Sequence, residues 1–181
     1  MPWLFGSLHA RRVAVLAPSL VVVAALLTVA GCVAEDPDPE PSTIGSQAQL
    51  CSDRVDAGQA AAVIAQPLTA LHELNTFTNT HRAGECALVG VDGGAMLSVV
   101  VVHDPKGTAL SSELEELSQQ ENYSGTDRSG VTGEGTITTA LVAIDDTYYV
   151  RVMGLGGSST EQRTAALTLA ESVASRTEPI K

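Results

Sequence analysis

The stretch CALVGVDGGAMLSVVVVH, residues 86–103, decides how this chain folds. Cys86–Val91 and Ala95–His103 are two β-rich runs. Asp92-Gly93-Gly94 between them supplies residues that tolerate the positive φ of a tight hairpin turn, so an antiparallel pair is predicted. Val99-Val100-Val101-Val102 is apolar at every position, which predicts a central strand covered from both sides or nearly so.

Downstream of this hairpin, Pro105 and Gly107 break the strand. Ser112-Glu113-Leu114-Glu115 reads as a capping box, and Leu110, Leu114 and Leu117 fall at helical spacing, predicting a helix over 109–121. Residues 122–133, rich in Asn, Ser, Gly, Thr and Asp, read as an exposed loop. Thr136–Ile144 and Thr147–Leu155 form a second β pair around Asp145-Asp146, both rich in Thr, Val, Ile and Tyr. Ser158-Ser159-Thr160-Glu161 caps a last helix. Its apolar stripe is Ala166, Leu169, Ala170 and Val173, with Arg163, Glu171 and Arg176 for the wet face.

Upstream, Asp56-Ala57-Gly58-Gln59 places an acceptor at a helix N-cap with Gln three residues on. Ala60, Ala61, Val63 and Ile64 then make a short amphipathic helix that Pro67 ends. Residues 68–84 read as a loop with an irregular strand. The order α-β-β-α-β-β-α predicts an α+β domain: an antiparallel sheet of four to five strands with helices packed against one face.

The amino-terminal third reads differently. Arg11 and Arg12 lie in a segment without acidic groups, and Val13 to Val29 is almost wholly apolar, the pattern of an export signal. Its roughly 17 residues, interrupted by Pro18, fall short of the roughly 20 that a spanning helix needs. The run closes on Leu27-Thr28-Val29-Ala30-Gly31-Cys32, small residues directly before a thiol. That ending resembles a bacterial lipobox, which implies that Cys32 receives diacylglycerol and that residues 1–31 are removed. Two or three acyl chains hold a protein stably on a membrane, where one does so only marginally.

Residues 32–50 follow as a tether. Glu35-Asp36-Pro37-Asp38-Pro39-Glu40-Pro41 is acidic and proline-rich, so its carboxylates repel one another and its prolines deny it backbone donors. About 18 such residues at about 3.1 Å each reach up to roughly 55 Å. Residues 51–177 are then a single domain of ordinary size, able to bury its own core, and 178–181 form a short tail.

Composition narrows the partners. The formal net charge is −11, all 21 acidic residues follow Cys32, and Arg11 and Arg12 precede it. The part beyond the leader is therefore more acidic still, which disfavours nucleic acid and anionic headgroups. Aromatic residues make up 3% of the chain, too few for base-stacking or sugar platforms.

With Cys32 acylated, Cys51 and Cys86 remain as an even pair outside the cytoplasm. A redox dithiol is one reading, but no C-x-x-C depresses a thiol pKa, and a structural disulfide is preferred. His72, His81 and His103, with Glu73, Glu85 and Asp104, lack every common metal-ligand spacing. No metal or other cofactor is expected. Gly154-Leu155-Gly156-Gly157-Ser158 follows a strand and opens a helix, where phosphate could sit on backbone amides. Position 159 is serine, however, so G-x-G-x-x-G fails and a strand-to-helix turn is the better reading. No nucleophile elbow or S-x-x-K occurs. Glu115-Glu116 and Asp145-Asp146 read as solvated surface rather than glycosidase acids.

The leader, the lipobox, the acidic Pro/Ser tether, Cys51 opening a short helix, Cys86 before a strand, Tyr148-Tyr149-Val150-Arg151-Val152 and the Ala-rich run Ala165–Ala174 together resemble the small actinobacterial lipoproteins grouped as a domain of unknown function. The likeness covers about residues 11–176. Where many members carry an aromatic soon after the second Cys, Ala87 and Leu88 stand here. The resemblance implies export and a sandwich like that of the photosystem protein PsbP and of a nuclear-import factor. It implies no catalytic residue.

The expectation is a non-enzymatic lipoprotein on the outer face of the cytoplasmic membrane, lipid-anchored through Cys32. Its domain binds a partner protein of the envelope or a small apolar ligand. The rival is an envelope hydrolase with its site on loops 68–84 and 122–133, where His72, His81 and several hydroxyls occur.

Overall fold

The computed structural model describes residues 42–69, 74–78 and 81–177. The leader, Cys32, most of the tether, His72, Glu73 and the tail 178–181 lie outside the described residues. The elements in chain order are β1 (Gln49–Leu50), β2 (Val55–Asp56), α1 (Ala57–Ile64), β3 (Leu74–Asn75), β4 (Gly84–Val89), β5 (Met96–His103), α2 (Ala109–Ser118), β6 (Ser124–Gly125), β7 (Ser129–Glu134), β8 (Ile137–Ala143), β9 (Tyr148–Leu155) and α3 (Thr160–Arg176).

The fold is α+β. Strands β3 to β9 form a seven-stranded antiparallel sheet in the order β3-β4-β5-β9-β8-β7-β6, and β1 pairs with β2 in a separate hairpin. The four-to-five-strand sheet and the α-β-β-α-β-β-α order expected from sequence are both corrected by this. Residues 122–133 are not one exposed loop, because they contain β6 and most of β7, whose Gly130–Gly133 stretch is buried. The two expected hairpins are present: β4 pairs with β5 across a turn where Gly93 has φ +70°, and β8 pairs with β9.

Alternation along the strands sorts the side chains onto two faces. Leu97, Val99 and Val101 of β5, Val150 and Val152 of β9, Ala140 and Val142 of β8, and Cys86 and Leu88 of β4 point to one face and are buried. Helices α1 and α3 close that face with Ala60, Val63, Ile64, Ala166, Leu169, Ala170 and Val173, the stripe expected for the last helix. Val173→Ala or Leu169→Ala would each remove a fully buried aliphatic group, a change that costs roughly 2–4 kcal/mol at such sites.

Helix α2 lies on the opposite face, so the helices do not all pack on one side. Leu114 and Leu117 bury against Leu141 and Tyr149, residues of the strand positions that α1 and α3 leave free. The Tyr149 hydroxyl donates to Glu113 Oε1 at 2.5 Å, and Arg151 Nη1 stands 3.4 Å from the same oxygen. Burial first, and then the neighbouring Glu113 carboxylate, push the Tyr149 phenol well above its ordinary value.

The helix ends show which caps the local chemistry selects. Asp56 Oδ1 accepts from Gln59 N at 3.0 Å, and Ser159 and Gln162 form a reciprocal capping box at α3. Ser112, expected to open α2, lies inside the helix. Thr108 is the N-cap and its side chain makes no capping bond. Asp104, from the end of β5, reaches in instead and accepts from Ala109 N at 2.6 Å.

Candidate functional site

Cys51 and Cys86 lie at disulfide distance, with Cα atoms 5.9 Å apart, and are paired as a disulfide. Both are buried, and the pair ties the turn between β1 and β2 to β4. Cys51, Ser52 and Asp53 all hold left-handed backbone, with φ of 57°, 58° and 63°. The crosslink thus anchors a turn that non-glycine residues adopt reluctantly.

The end of the sheet where β5 and β8 finish gathers a cluster of polar side chains, including His103, Asp104, Asp145 and Asp146. Arg82 is buried and places Nη1 2.7 Å from Asp145 Oδ2 in the β8–β9 turn, with its guanidinium 4.2 Å from the Tyr148 ring centroid. His103 stacks on Tyr148 at 4.5 Å. Arg54 donates to the carbonyl oxygens of Arg82, Thr78 and His81, and its guanidinium lies over Phe77 at 4.6 Å. Partial burial, and then the nearby Arg82, lower the Arg54 pKa.

A polar recess of about 310 Å³ opens at this end beside Asp104, Lys106, Arg128 and Asp146. Three of its acids have partners in the fold. Asp104 caps α2. Asp145 accepts from Thr147 N and Tyr148 N, both at 2.8 Å. Asp146 is almost fully exposed, 3.5 Å from Arg128. Among the described residues no cluster of three or more His, Cys, Asp or Glu could hold a metal ion. The two segments named for a hydrolase site contribute β3 and β6, which lie on opposite edges of the sheet. Arg82 of the first segment and Arg128 of the second both reach the β8–β9 turn, through the Arg82–Asp145 and Arg128–Asp146 pairs.

Two amides of the glycine-rich turn after β9 are already taken. Gly156 N and Gly157 N both donate to Thr136 O, at 3.0 and 3.1 Å. Glu115 and Glu116 are exposed on α2, as expected.

The surface that the sequence reading missed is apolar. Leu74, Met96, Ile137 and Met153 are the exposed large hydrophobic side chains among the described residues, 39% to 55% accessible. The strand register puts all four on one face. Leu74 stands opposite Ala87, Ala87 opposite Ser98, Ser98 opposite Met153, and Met153 opposite Thr139. The next row is Val89, Met96, Leu155 and Ile137. This is the face that α2 shares, but α2 covers only the rows of Leu141 and Tyr149. Beside the open rows, Gln120, Thr132, Glu134, Ile137 and Thr139 line a recess of about 420 Å³.

A second apolar feature lies on the outer side of the other layer. Gly58, Gln59 and Ala62 of α1 and Thr164, Ala165 and Thr168 of α3 line a groove of about 730 Å³. Gln59 Oε1 is buried beside it without a hydrogen-bond partner. No protein-family model, curated protein or solved structure matches the chain.

Proposed function

We propose that this chain is an extracytoplasmic lipoprotein, lipid-anchored through Cys32 to the outer face of the cytoplasmic membrane, whose domain binds a partner protein rather than catalysing a reaction. One observation carries the binding half of this reading. The sheet has two faces to cover, and among the described residues the helices fully cover one of them. A half-open face bearing Met96, Ile137, Met153 and Leu74 is what a docking surface of an otherwise polar protein presents. The anchoring half rests on the leader and on Val29-Ala30-Gly31-Cys32. A small apolar ligand is the second reading, favoured by the groove between α1 and α3.

The test is a photo-crosslinking amino acid at Met153 on the open face, or at Thr168 on the groove, in the full chain expressed in its host. A protein adduct from Met153 supports the proposal. A small-molecule adduct from Thr168 with none from Met153 replaces it with the second reading. The anchor is checked alongside by metabolic labelling: Cys32→Ser should abolish acyl labelling and leave residues 1–31 attached.

A further inference from the structure

We propose that the open sheet face takes a basic amphipathic helix of a partner protein; this rests on the binding reading above and specifies the partner's chemistry. The dimensions come first. Met96, Leu155 and Ile137 lie on three adjacent strands, which at roughly 4.8 Å per strand span about 10 Å, one helix diameter. The chain itself sets the precedent, because α2 covers the other half of the same face with one apolar stripe.

Charge then selects the occupant. Glu85 flanks the open rows on β4, Asp92 lies in the turn at their end, and Glu134 stands opposite Ile137 on the β7–β8 side. Glu121 and Glu134 border a common recess. Arg151 is the cation that the strand register places on this face, and Glu113 already engages it. A lysine or arginine on the incoming helix could lay its aliphatic stem along Ile137 and set its charge against Glu134. A second copy of this chain would instead bring like-charged rims together, on a molecule of formal charge −11.

The probes are three fluorescent synthetic helices of about 18 residues, titrated onto the full chain in phosphatidylcholine nanodiscs, with empty nanodiscs as the blank. One has a leucine face and a lysine face, one a leucine face and a glutamate face, and one an alanine face and a lysine face. The expected result is that the leucine–lysine helix binds roughly tenfold tighter than either of the others. Binding should weaken between about 0.05 and 0.5 M salt. Glu134→Lys should weaken it by roughly tenfold, and Met153→Asn, at an exposed position that leaves the fold intact, should weaken it as well.

Equal binding of the leucine–lysine and leucine–glutamate helices would overturn the inference, as would binding unaffected by both substitutions. So would self-association of the chain that Met153→Asn abolishes. Crosslinking from Met153 to an acidic protein segment would overturn the basic-helix inference while leaving partner binding intact. Absence of any protein crosslink there removes the binding reading itself.

Discussion

Arg82 Nη1 lies 2.7 Å from Asp145 Oδ2, joining the residue stretch before β4 to the β8–β9 turn, with β5 between β4 and β9. Arg82 is the buried partner, and its Nε finds no acceptor. Removing the carboxylate therefore leaves a buried guanidinium to the Thr177 carbonyl at 3.5 Å and the Tyr148 ring. Asp145→Ala should destabilise the domain by about 2–3 kcal/mol, less than a fully buried pair because the aspartate side is partly exposed. Chemical denaturation of the two proteins at neutral pH measures this.

The same aspartate sets an acid limb. Partial desolvation pushes its carboxyl up, but Thr147 N–H, the Arg82 guanidinium and the Thr147 hydroxyl together outweigh it and hold the pKa down at about 2. A carboxyl depressed in the fold contributes stability that is present above its ordinary value near 4 and is lost as pH falls towards 2. Asp145→Asn should flatten the stability profile in that window and leave its slope above about pH 5 unchanged. An unchanged slope between pH 4 and 2 would contradict the assignment.

The disulfide closes a loop with a sequence separation of 35. In the chain-entropy description, such a crosslink stabilises by about 3–4 kcal/mol. The double variant Cys51→Ser, Cys86→Ser should lose about that much in urea titrations run without reductant. Hydrogen exchange should be fastest in residues 49–56, where three successive left-handed residues lose their anchor.

Ala65 ends α1 with φ 56° and ψ 30°, donating its N–H to Ala61 O. This is the position at which glycine avoids the steric cost of the left-handed region. Its side chain is exposed, so nothing is lost from the core by shortening it. Ala65→Gly should raise stability by about 0.5–1 kcal/mol, read as a higher melting temperature.

Strand β7 explains why part of the fold was hidden in the sequence. Ser-Gly-Val-Thr-Gly-Glu carries little β-propensity, and an alternating apolar signal is absent. The strand exists because its neighbours need its small residues. A Cβ on Gly130 would lie 2.7 Å from Tyr123 Cε2 and 2.8 Å from Leu114 Cδ2, and one on Gly133 would lie 2.7 Å from Ser158 Cβ. Gly130→Ala should therefore lift α2 from the sheet. The expected loss is about 1–3 kcal/mol, with faster amide exchange over Ala109–Ser118 than elsewhere.

What was legible follows from local chemistry. Asp92-Gly93-Gly94 announced its own turn, Asp56 its own cap, and Leu169 and Val173 their own buried stripe, while the cap of α3 falls one residue later than the Ser158–Glu161 pattern, at Ser159 with Gln162. What was not legible depends on tertiary contact. Asp104 caps α2 from the end of another element, and β3 and β6 are two-residue edges that exist only through their partners. The open face was invisible for a related reason. Met96 and Met153 read as ordinary strand residues until the register shows that no helix of the described chain reaches them.

The most direct measurement of the central claim uses those two methionines, which apart from Met1 are all the chain contains. Their oxidation by dilute peroxide can be followed by mass spectrometry in the purified full chain and in intact envelopes. A partner seated on the sheet predicts slow oxidation of both Met96 and Met153 in the envelope and fast oxidation once the chain is purified. Equal rates in the two settings would contradict the claim that this face is where the protein does its work.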